Sequence, residues 1–219
     1  MSTTENDCEI LDRSPVIRLR TENGLNFLLK SYKIQRNGQV SEHALLYKSP
    51  FMRTGLPVLT RINSACFTSD IFGCVRCDCN WQLREAMRMI HDKSGLLIYH
   101  FNQEGRGIGF TDKLKSISLM DISGKSSADA FRELGHCADE RDYRLSAVIL
   151  KDLKIDQIDL ITNNIDKASQ LMSYGIHVNH ILPLISPEER HSQYLASKSL
   201  IPATFPPPPL PRKNCYRGR

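Results

Sequence analysis

Three cysteines within fourteen residues could carry the most specific chemistry in this sequence. Cys66 and Cys77 are separated by ten residues, and Cys77 and Cys79 by one. Thiolates are soft ligands that zinc binds readily, and three protein ligands leave a fourth tetrahedral position for water. Water bound to such a zinc ion has a pKa of about 7, so part of it is hydroxide at neutral pH. The pattern is therefore typical of a catalytic zinc site.

A further cysteine leaves the nature of this cluster open. Cys74 precedes Cys77 by three residues and forms a C-x-x-C pair with it. As a fourth ligand Cys74 would close the site and make the zinc structural, whereas a redox pair or an inert cluster would need no metal. Four of the seven cysteines crowd into residues 66–79, which argues against a disulfide framework and favours a reducing, cytoplasmic setting.

A glycine-rich turn follows the cysteines and could bind an anion. Residues 104–109 read EGRGIG and match neither the Walker loop nor the dinucleotide fingerprint. Arg106 can bind a phosphate through two hydrogen bonds. Glu104 can accept two N–H bonds from the edge of a guanine ring. Such turns are common, so the motif matters here because it follows the cysteine segment.

Two polar segments further along could complete a phosphate site. Residues 139–142 read DERD, which is either a solvated helix start or a general base beside Arg141 as a phosphate-binding group. Thr162-Asn163-Asn164 with Lys167 is either a capped strand-to-helix turn or a phosphate cradle at a helix N-terminus. Each segment alone favours the structural interpretation. Three histidines are expected to be structural and not ligands: His100, His136 and His180.

The hydrophobic pattern predicts the elements that position these residues. Asn23-Gly24 and Asn37-Gly38 favour tight hairpins, so an antiparallel meander is expected after a mobile lead over residues 1–14. The later predicted strands are 57–62, 96–101, 157–161 and 176–180, and the helices are 81–94, 113–120, 128–134 (capped by Ser127), 145–153 and 166–174. This order indicates one α+β, or mixed α/β, catalytic domain over residues 15–200.

Charge and hydropathy narrow the classes of partner. The chain has 29 basic and 24 acidic residues, a net charge of +5. Four of the basic residues lie in a Pro-rich tail, residues 201–219, and without them the net charge is +1, so a nucleic-acid partner is not expected. No apolar run approaches the roughly 20 residues of a membrane span, and the polar, acidic N-terminus does not resemble a signal peptide. No membrane partner is expected either.

In combination these motifs resemble the GTP cyclohydrolase II family, which opens riboflavin synthesis. The matching pieces between Arg61 and Ser199 are Cys66 with CDC at 77–79, Gln82, YHFNQEGRGIG, LGHCADERDY and TNN-x-x-K. The resemblance implies one catalytic zinc ion per subunit on Cys66, Cys77 and Cys79, with Cys74 unligated. It also implies GTP as the substrate, Mg²⁺ with the triphosphate, and a homodimer.

The resemblance further assigns roles to individual residues. Asp139 matches the proton acceptor and Arg141 the nucleophile toward the α-phosphate. The implied nucleotide contacts are Arg61, Ser64, Gln82, Glu104, Gly105, Arg106, Ser126, Thr162 and Lys167. In the implied reaction, zinc-bound hydroxide attacks the imidazole carbon of guanine, the ring opens to a formamide, a second hydrolysis releases formate, and pyrophosphate leaves separately.

Four positions depart from the usual family pattern. Asn63 replaces a frequent His, Ala65 a usual Glu, and Ser126 a Thr whose hydroxyl it retains. Ile117 stands where the family usually carries a tyrosine near the reacting carbon. Isoleucine cannot hydrogen-bond or orient a water, so the hypothesis is ring opening and pyrophosphate release with impaired release of formate.

Two other functions are compatible with the same residues. One is a zinc- and nucleotide-binding homologue without turnover, acting in regulation or interaction, for which Ala65 and Ile117 are the evidence. The other is a zinc-containing interaction module whose FPPPPLPR segment (residues 205–212) binds a partner as a polyproline helix. Asp139, Arg141 and the three cysteines argue against the homologue without turnover, and a disordered tail is at least as good an interpretation of FPPPPLPR as a partner-binding segment.

Overall fold

A single mixed sheet organises the computed structural model, which describes residues 7–50 and 55–187. Its strands are β1 (Cys8–Arg13), β2 (Ile17–Arg20), β3 (Asn26–Arg36), β4 (Gln39–Tyr47), β5 (Val58–Ser64), β6 (Gly95–His100), β7 (Gln157–Ile161) and β8 (His177–Leu182). The helices are α1 (Phe67–Asp70), α2 (Cys79–Lys93), α3 (Phe110–Ser123), α4 (Ser127–Glu133), α5 (Arg144–Asp152) and α6 (Ile165–Ser173), and Phe101–Gly107 is a 3₁₀ segment. The strand order is β1-β3-β4-β6-β5-β7-β8, and β2 also pairs with β3. The predicted mixed α/β class is confirmed.

The N-terminal strands form the predicted antiparallel meander. The β3–β4 hairpin turns at Asn37 and Gly38, whose φ angles of 48° and 77° suit the turn that Asn-Gly favours. The predicted mobile lead is wrong for Cys8–Arg13, because this segment is β1 and pairs antiparallel with β3. Its mostly polar sequence does not predict a strand. The segment is held by backbone hydrogen bonds to β3 and by Ile10, which packs on the core.

The central and C-terminal strands are parallel and place their carboxyl ends at one edge. β5 pairs in parallel with β6 on one side and with β7 on the other, and β7 pairs in parallel with β8. The chain therefore changes direction across the sheet at β5. In such sheets ligands bind in the crevice outside the carboxyl ends of the strands, at this switch point. The segments that follow β5, β6 and β7 carry Cys66, Glu104 and Thr162 to that edge.

Both faces of the sheet are covered by helices. On one face Ile62 and Ile98 pack with residues of α5 and α6, such as Ile149 and Leu171. On the other face Leu97 packs with the apolar side of α2. The alternation of side chains along β6 explains why neighbouring residues enter different cores. The predicted core side of α2 is confirmed; its members are Leu83, Ala86, Met87 and Ile90.

The helix boundaries correct several details of the predictions. The predicted helix over 113–120 is longer and spans Phe110–Ser123. Ser126, not Ser127, caps α4, because its hydroxyl accepts a hydrogen bond from Asp129 N. The short helix α1 carries no apolar periodicity long enough to predict. The Pro-rich tail lies outside the described residues, and no helix within the described ranges is long and apolar enough to cross a membrane.

Candidate active site

Three cysteines converge where β5 ends and α2 begins. Cys66 caps the N-terminus of α1, and Cys79 is the first residue of α2. The sulfur atoms of Cys66, Cys77 and Cys79 all lie within 4.8 Å of one another. Cys74 is not part of this group, which leaves three thiols at the site within the described chain.

The sulfur geometry fits a tetrahedral soft-metal site. Zinc–sulfur bonds of about 2.3 Å at tetrahedral angles separate two sulfurs by about 3.8 Å. The Sγ atoms of Cys66 and Cys77 are 3.7 Å apart. The pKa of the Cys66 thiol is lowered, chiefly by hydrogen bonds from Cys77 and Cys79 and further by the nearby ammonium of Lys113. The donor set and its spacing therefore suit zinc.

The turn after β6 packs directly against the cysteine segment. The carboxylate of Glu104 accepts hydrogen bonds from Phe67 N at 2.6 Å and from Lys113 Nζ at 2.6 Å. Lys113 Nζ also donates to Cys66 Sγ at 3.2 Å. Gly105 has a φ of +60°, and a Cβ there would lie 2.9 Å from the Cβ of Lys113, so glycine is required for this approach. Glu104 thus supports the cysteine site, and its contact with a guanine edge stays a prediction.

Buried cations lie beneath the switch point. The guanidinium of Arg61 donates to Gln82 Oε1 at 2.9 Å and to Asn63 Oδ1 at 3.2 Å. Burial lowers the pKa of Arg61, and the acidic groups near it, Cys79 and Asp78 foremost, act in the opposite direction. Lys167 Nζ donates to the carbonyl oxygen of Ile62 at 2.6 Å. Buried charges are costly and are seldom kept without a partner or a function.

Thr162 belongs to the same edge. It is 1% exposed, its backbone N–H donates to Leu182 O at 3.0 Å, and its hydroxyl accepts a hydrogen bond from Asn164 N. Asn164 caps α6, as one of the two interpretations of this turn requires.

The acid–arginine segment meets the glycine turn. Arg106 Nη1 donates to Ala138 O at 3.2 Å, and Glu140 N donates to Arg106 O at 3.0 Å. Arg141 holds Asp139 through two hydrogen bonds, with Nε 2.8 Å from Oδ1. Burial raises the pKa of Asp139, but the hydrogen bonds and charge of Arg141 lower it below its usual value. Asp139 is therefore a carboxylate at neutral pH.

The other residues singled out by the sequence lie in different parts of the structure. Ser64 Oγ donates to Gln103 Oε1 at 2.7 Å at the end of β5. Ser126 is exposed and bonds within its own helix start, to Asp129. Ile117 lies four residues after Lys113 on α3, on the same side of the helix and half-buried.

Lys113 is the residue that the sequence interpretation missed. The available signal was a lysine in the first turn of a helix, where the helix dipole disfavours a positive charge. The three histidines predicted to be structural each have a hydrogen-bond partner. His100 contacts His43 and Ser146, His136 contacts Asp112 and Glu140, and His180 contacts Asp159.

The fold and the site define a mixed α/β domain with a three-cysteine centre at the switch point of its sheet. A sequence model of the family described as GTP cyclohydrolase II matches residues 12–183. The chain belongs to the GTP cyclohydrolase II family. The match begins at residue 12, so it includes most of the N-terminal meander, which is the less distinctive part of the sequence.

Two kinds of relative match the chain. Riboflavin biosynthesis protein RibBA of Phocaeicola vulgatus is 38% identical over 190 residues, covering 86% of this chain and 46% of that protein. RibBA of Cytophaga hutchinsonii is 40% identical over 174 residues, covering 79% and 42%. GTP cyclohydrolase-2 of Buchnera aphidicola is 39% identical over 176 residues, covering 80% of this chain and 87% of that protein. The chain thus spans less than half of the RibBA proteins and most of the Buchnera protein.

Proposed function

We propose that this protein is a zinc-dependent hydrolase that opens the imidazole ring of GTP and releases pyrophosphate. The observation that carries the proposal is the group of three thiols within 4.8 Å at the carboxyl edge of a sheet of this family. The metal would be one zinc ion per subunit, held by Cys66, Cys77 and Cys79. Mg²⁺ would accompany the triphosphate, because it commonly bridges phosphate oxygens.

The metal and the guanine end of the substrate belong at the cysteines. Zinc, when bound, supplies a Lewis acid and an activated water. Arg61 on β5 donates a hydrogen bond to Gln82 on α2, and these two side chains would position the nucleotide above β5. Glu104 and Gly105 fix the wall formed by the glycine turn. A purine ring bound here would have its five-membered ring toward the sulfurs.

The triphosphate belongs at the acid–arginine segment. Arg106 and Arg141 offer planar guanidinium groups, which suit phosphate oxygens. For Arg141 to attack the α-phosphate, a guanidinium nitrogen must lose a proton as the N–P bond forms and the bond to the leaving pyrophosphate breaks. Asp139 accepts hydrogen bonds from that same guanidinium, which supports it as the acceptor of this proton.

Product identification tests the proposal. The zinc-loaded protein is incubated with GTP and Mg²⁺, and pyrophosphate, formate and the pyrimidine product are quantified by mass spectrometry and enzymatic assay. Pyrophosphate together with a ring-opened nucleotide supports the hydrolase. Tight GTP binding without either product would instead support the turnover-deficient homologue.

The identity of residue 117 is proposed to decide whether the reaction continues from ring opening to release of formate. Ile117 lies one helical turn beyond Lys113, whose ammonium touches Cys66 Sγ, which supports a position of residue 117 near the cysteines. An isoleucine has no group to orient a second water at the reacting carbon. The proposed product is therefore a formylamino pyrimidine nucleotide, with little formate.

Replacing Ile117 by tyrosine is expected to restore release of formate. The phenol adds a hydrogen-bonding group near the reacting carbon, so formate per pyrophosphate should rise from near zero toward a stoichiometric amount. Ile117→Phe is the matched control, since it adds the ring without the hydroxyl and should leave formate low. Stoichiometric formate from the unsubstituted protein would refute the role given to Ile117.

The surface beside the cysteines supports a homodimer. Phe72 is 73% exposed and Ile71 63% exposed, and the rings of Phe67 and Phe110 pack edge to face nearby with centroids 5.8 Å apart. Exposed apolar clusters of this kind often mark an interface. Light scattering after size exclusion is expected to give twice the mass of one chain, and the mass of a single chain would contradict the dimer.

A further inference from the structure

The ammonium of Lys113 is held at the edge of the cysteine group by three acceptors. Lys113 Nζ lies 2.6 Å from Glu104 Oε1, 3.0 Å from Thr68 Oγ1 and 3.2 Å from Cys66 Sγ. Its side chain is 13% exposed and that of Glu104 is 4% exposed. An ammonium has three N–H donors, so these three acceptors match its full hydrogen-bonding capacity.

The surrounding backbone is shaped for this lysine. Gly105 has a left-handed backbone conformation, and a Cβ on this residue would lie 2.9 Å from the Cβ of Lys113. Glycine therefore lets the turn pass this close to the lysine. The ammonium is also kept in the first turn of α3 against the helix dipole. Burying an ammonium at this position costs desolvation free energy, so we expect the contacts of Lys113 to provide a compensating benefit.

That benefit concerns the charge and position of the cysteine sulfurs. Three thiolates around a divalent ion carry an excess negative charge, and the buried Glu104 carboxylate adds to it. Groups that hydrogen-bond to metal ligands orient them and tune their affinity for the metal. Cys66 approaches the other two cysteines from a different segment of the chain, so its sulfur depends most on such support.

We propose that Lys113 is a positioning residue of the metal centre: held by Glu104 and Thr68, it fixes the Cys66 sulfur where the three cysteines can share one zinc ion. This inference rests on the zinc site of the proposed function. It assigns Lys113 no contact with the substrate. Without the ammonium, Cys66 loses its charged donor and the buried Glu104 carboxylate is left facing the thiolates.

Zinc affinity measured by competition with a chromophoric chelator tests this role. Lys113→Met, which keeps the length of the stem, is expected to raise the zinc dissociation constant by about 10- to 100-fold, the usual cost of losing such a contact. Thr68→Val removes one acceptor of the ammonium and also the 3.7 Å contact of Thr68 Oγ1 with Cys66 Sγ, while Glu104 stays paired, and should weaken zinc binding less but in the same direction. Lys115→Met is the matched control on the same helix, since Lys115 is exposed and pairs with Asp112.

Cobalt(II) substitution supplies a readout that is independent of turnover. With Cys66 displaced, fewer thiolates bind cobalt, so the thiolate-to-cobalt charge-transfer absorption per bound ion should fall in Lys113→Met and be unchanged in Lys115→Met. If Lys113→Met does not fold, Lys113→Gln decides the outcome, because its amide can still donate a hydrogen bond to Glu104 but carries no positive charge. A folded variant with wild-type zinc affinity and cobalt spectrum overturns the role of Lys113 and leaves the proposed function standing. A wild-type protein that binds no zinc overturns both.

Discussion

Replacing Cys77 with serine is expected to abolish zinc binding and to lower formation of the ring-opened nucleotide from GTP by at least about 1,000-fold, the scale of a lost metal-ion contribution of several kcal/mol. A serine hydroxyl is a poor ligand for zinc because it does not ionise at neutral pH, and two thiolates alone do not complete the site. The measurements are zinc content by elemental analysis and formation of the ring-opened nucleotide by mass spectrometry under saturating GTP and Mg²⁺.

Cys74→Ser is the matched control for this experiment. Cys74 is three residues away from Cys77 in sequence but lies outside the group of sulfurs within 4.8 Å. This variant should keep its zinc and its activity. Loss of zinc from Cys74→Ser would revive the closed, four-thiolate site, and a fully active, zinc-loaded Cys77→Ser would refute the metal site as proposed.

Replacing Arg141 with alanine is expected to lower pyrophosphate release by about 100- to 10,000-fold while zinc content stays unchanged, a range typical of a lost catalytic side chain. Arg141 pairs with Asp139, and neither residue belongs to the group of sulfurs proposed to hold zinc, so zinc content should not respond. The comparison of turnover with zinc content separates this effect from general unfolding. Arg132→Ala is the control, because Arg132 is an exposed arginine that pairs with Asp129 on α4.

Arg141→Lys adds a test through pH. Arg141 lowers the pKa of Asp139 against the effect of burial, so the carboxylate in the wild-type protein stays ionised into acidic solution. Lysine keeps a positive charge but loses the two-pronged contact. The pKa of Asp139 should then rise, and residual activity should be lost at a higher pH than in the wild-type protein as the pH falls. An unchanged acid limb would show that Asp139 is not the group that must be ionised.

Much of the fold could be predicted because its signals are local. Asn37-Gly38 specifies its hairpin through the φ angles that this pair tolerates. The helical spacing of the apolar residues in α2 identifies a helix, and the short apolar run of β6 identifies a strand. These signals lie within each segment and do not depend on its neighbours in the fold. β1 was missed because an edge strand is held by backbone hydrogen bonds, which its polar side chains do not reveal.

The sequence by itself determined the chemistry that is available. Cys66, Cys77 and Cys79 are residue types whose close spacing suits a soft metal, and the acid–arginine pair at 139 and 141 is adjacent in the chain. These features are visible because each ligand type and each short spacing constrains what the group can bind. The four departures from the family pattern, Ile117 above all, are equally a property of the sequence.

Only the tertiary structure decided which of these groups act together. It separated Cys74 from the other three sulfurs, turned Glu104 toward Lys113 and the backbone of Phe67, and kept Ser126 at its own helix start. It also brought Lys113 to within 3.2 Å of a cysteine 47 positions earlier in the chain. The parallel pairing of β5 with β6 and β7 sets these distances, because it gathers the carboxyl ends of separate strands at one edge.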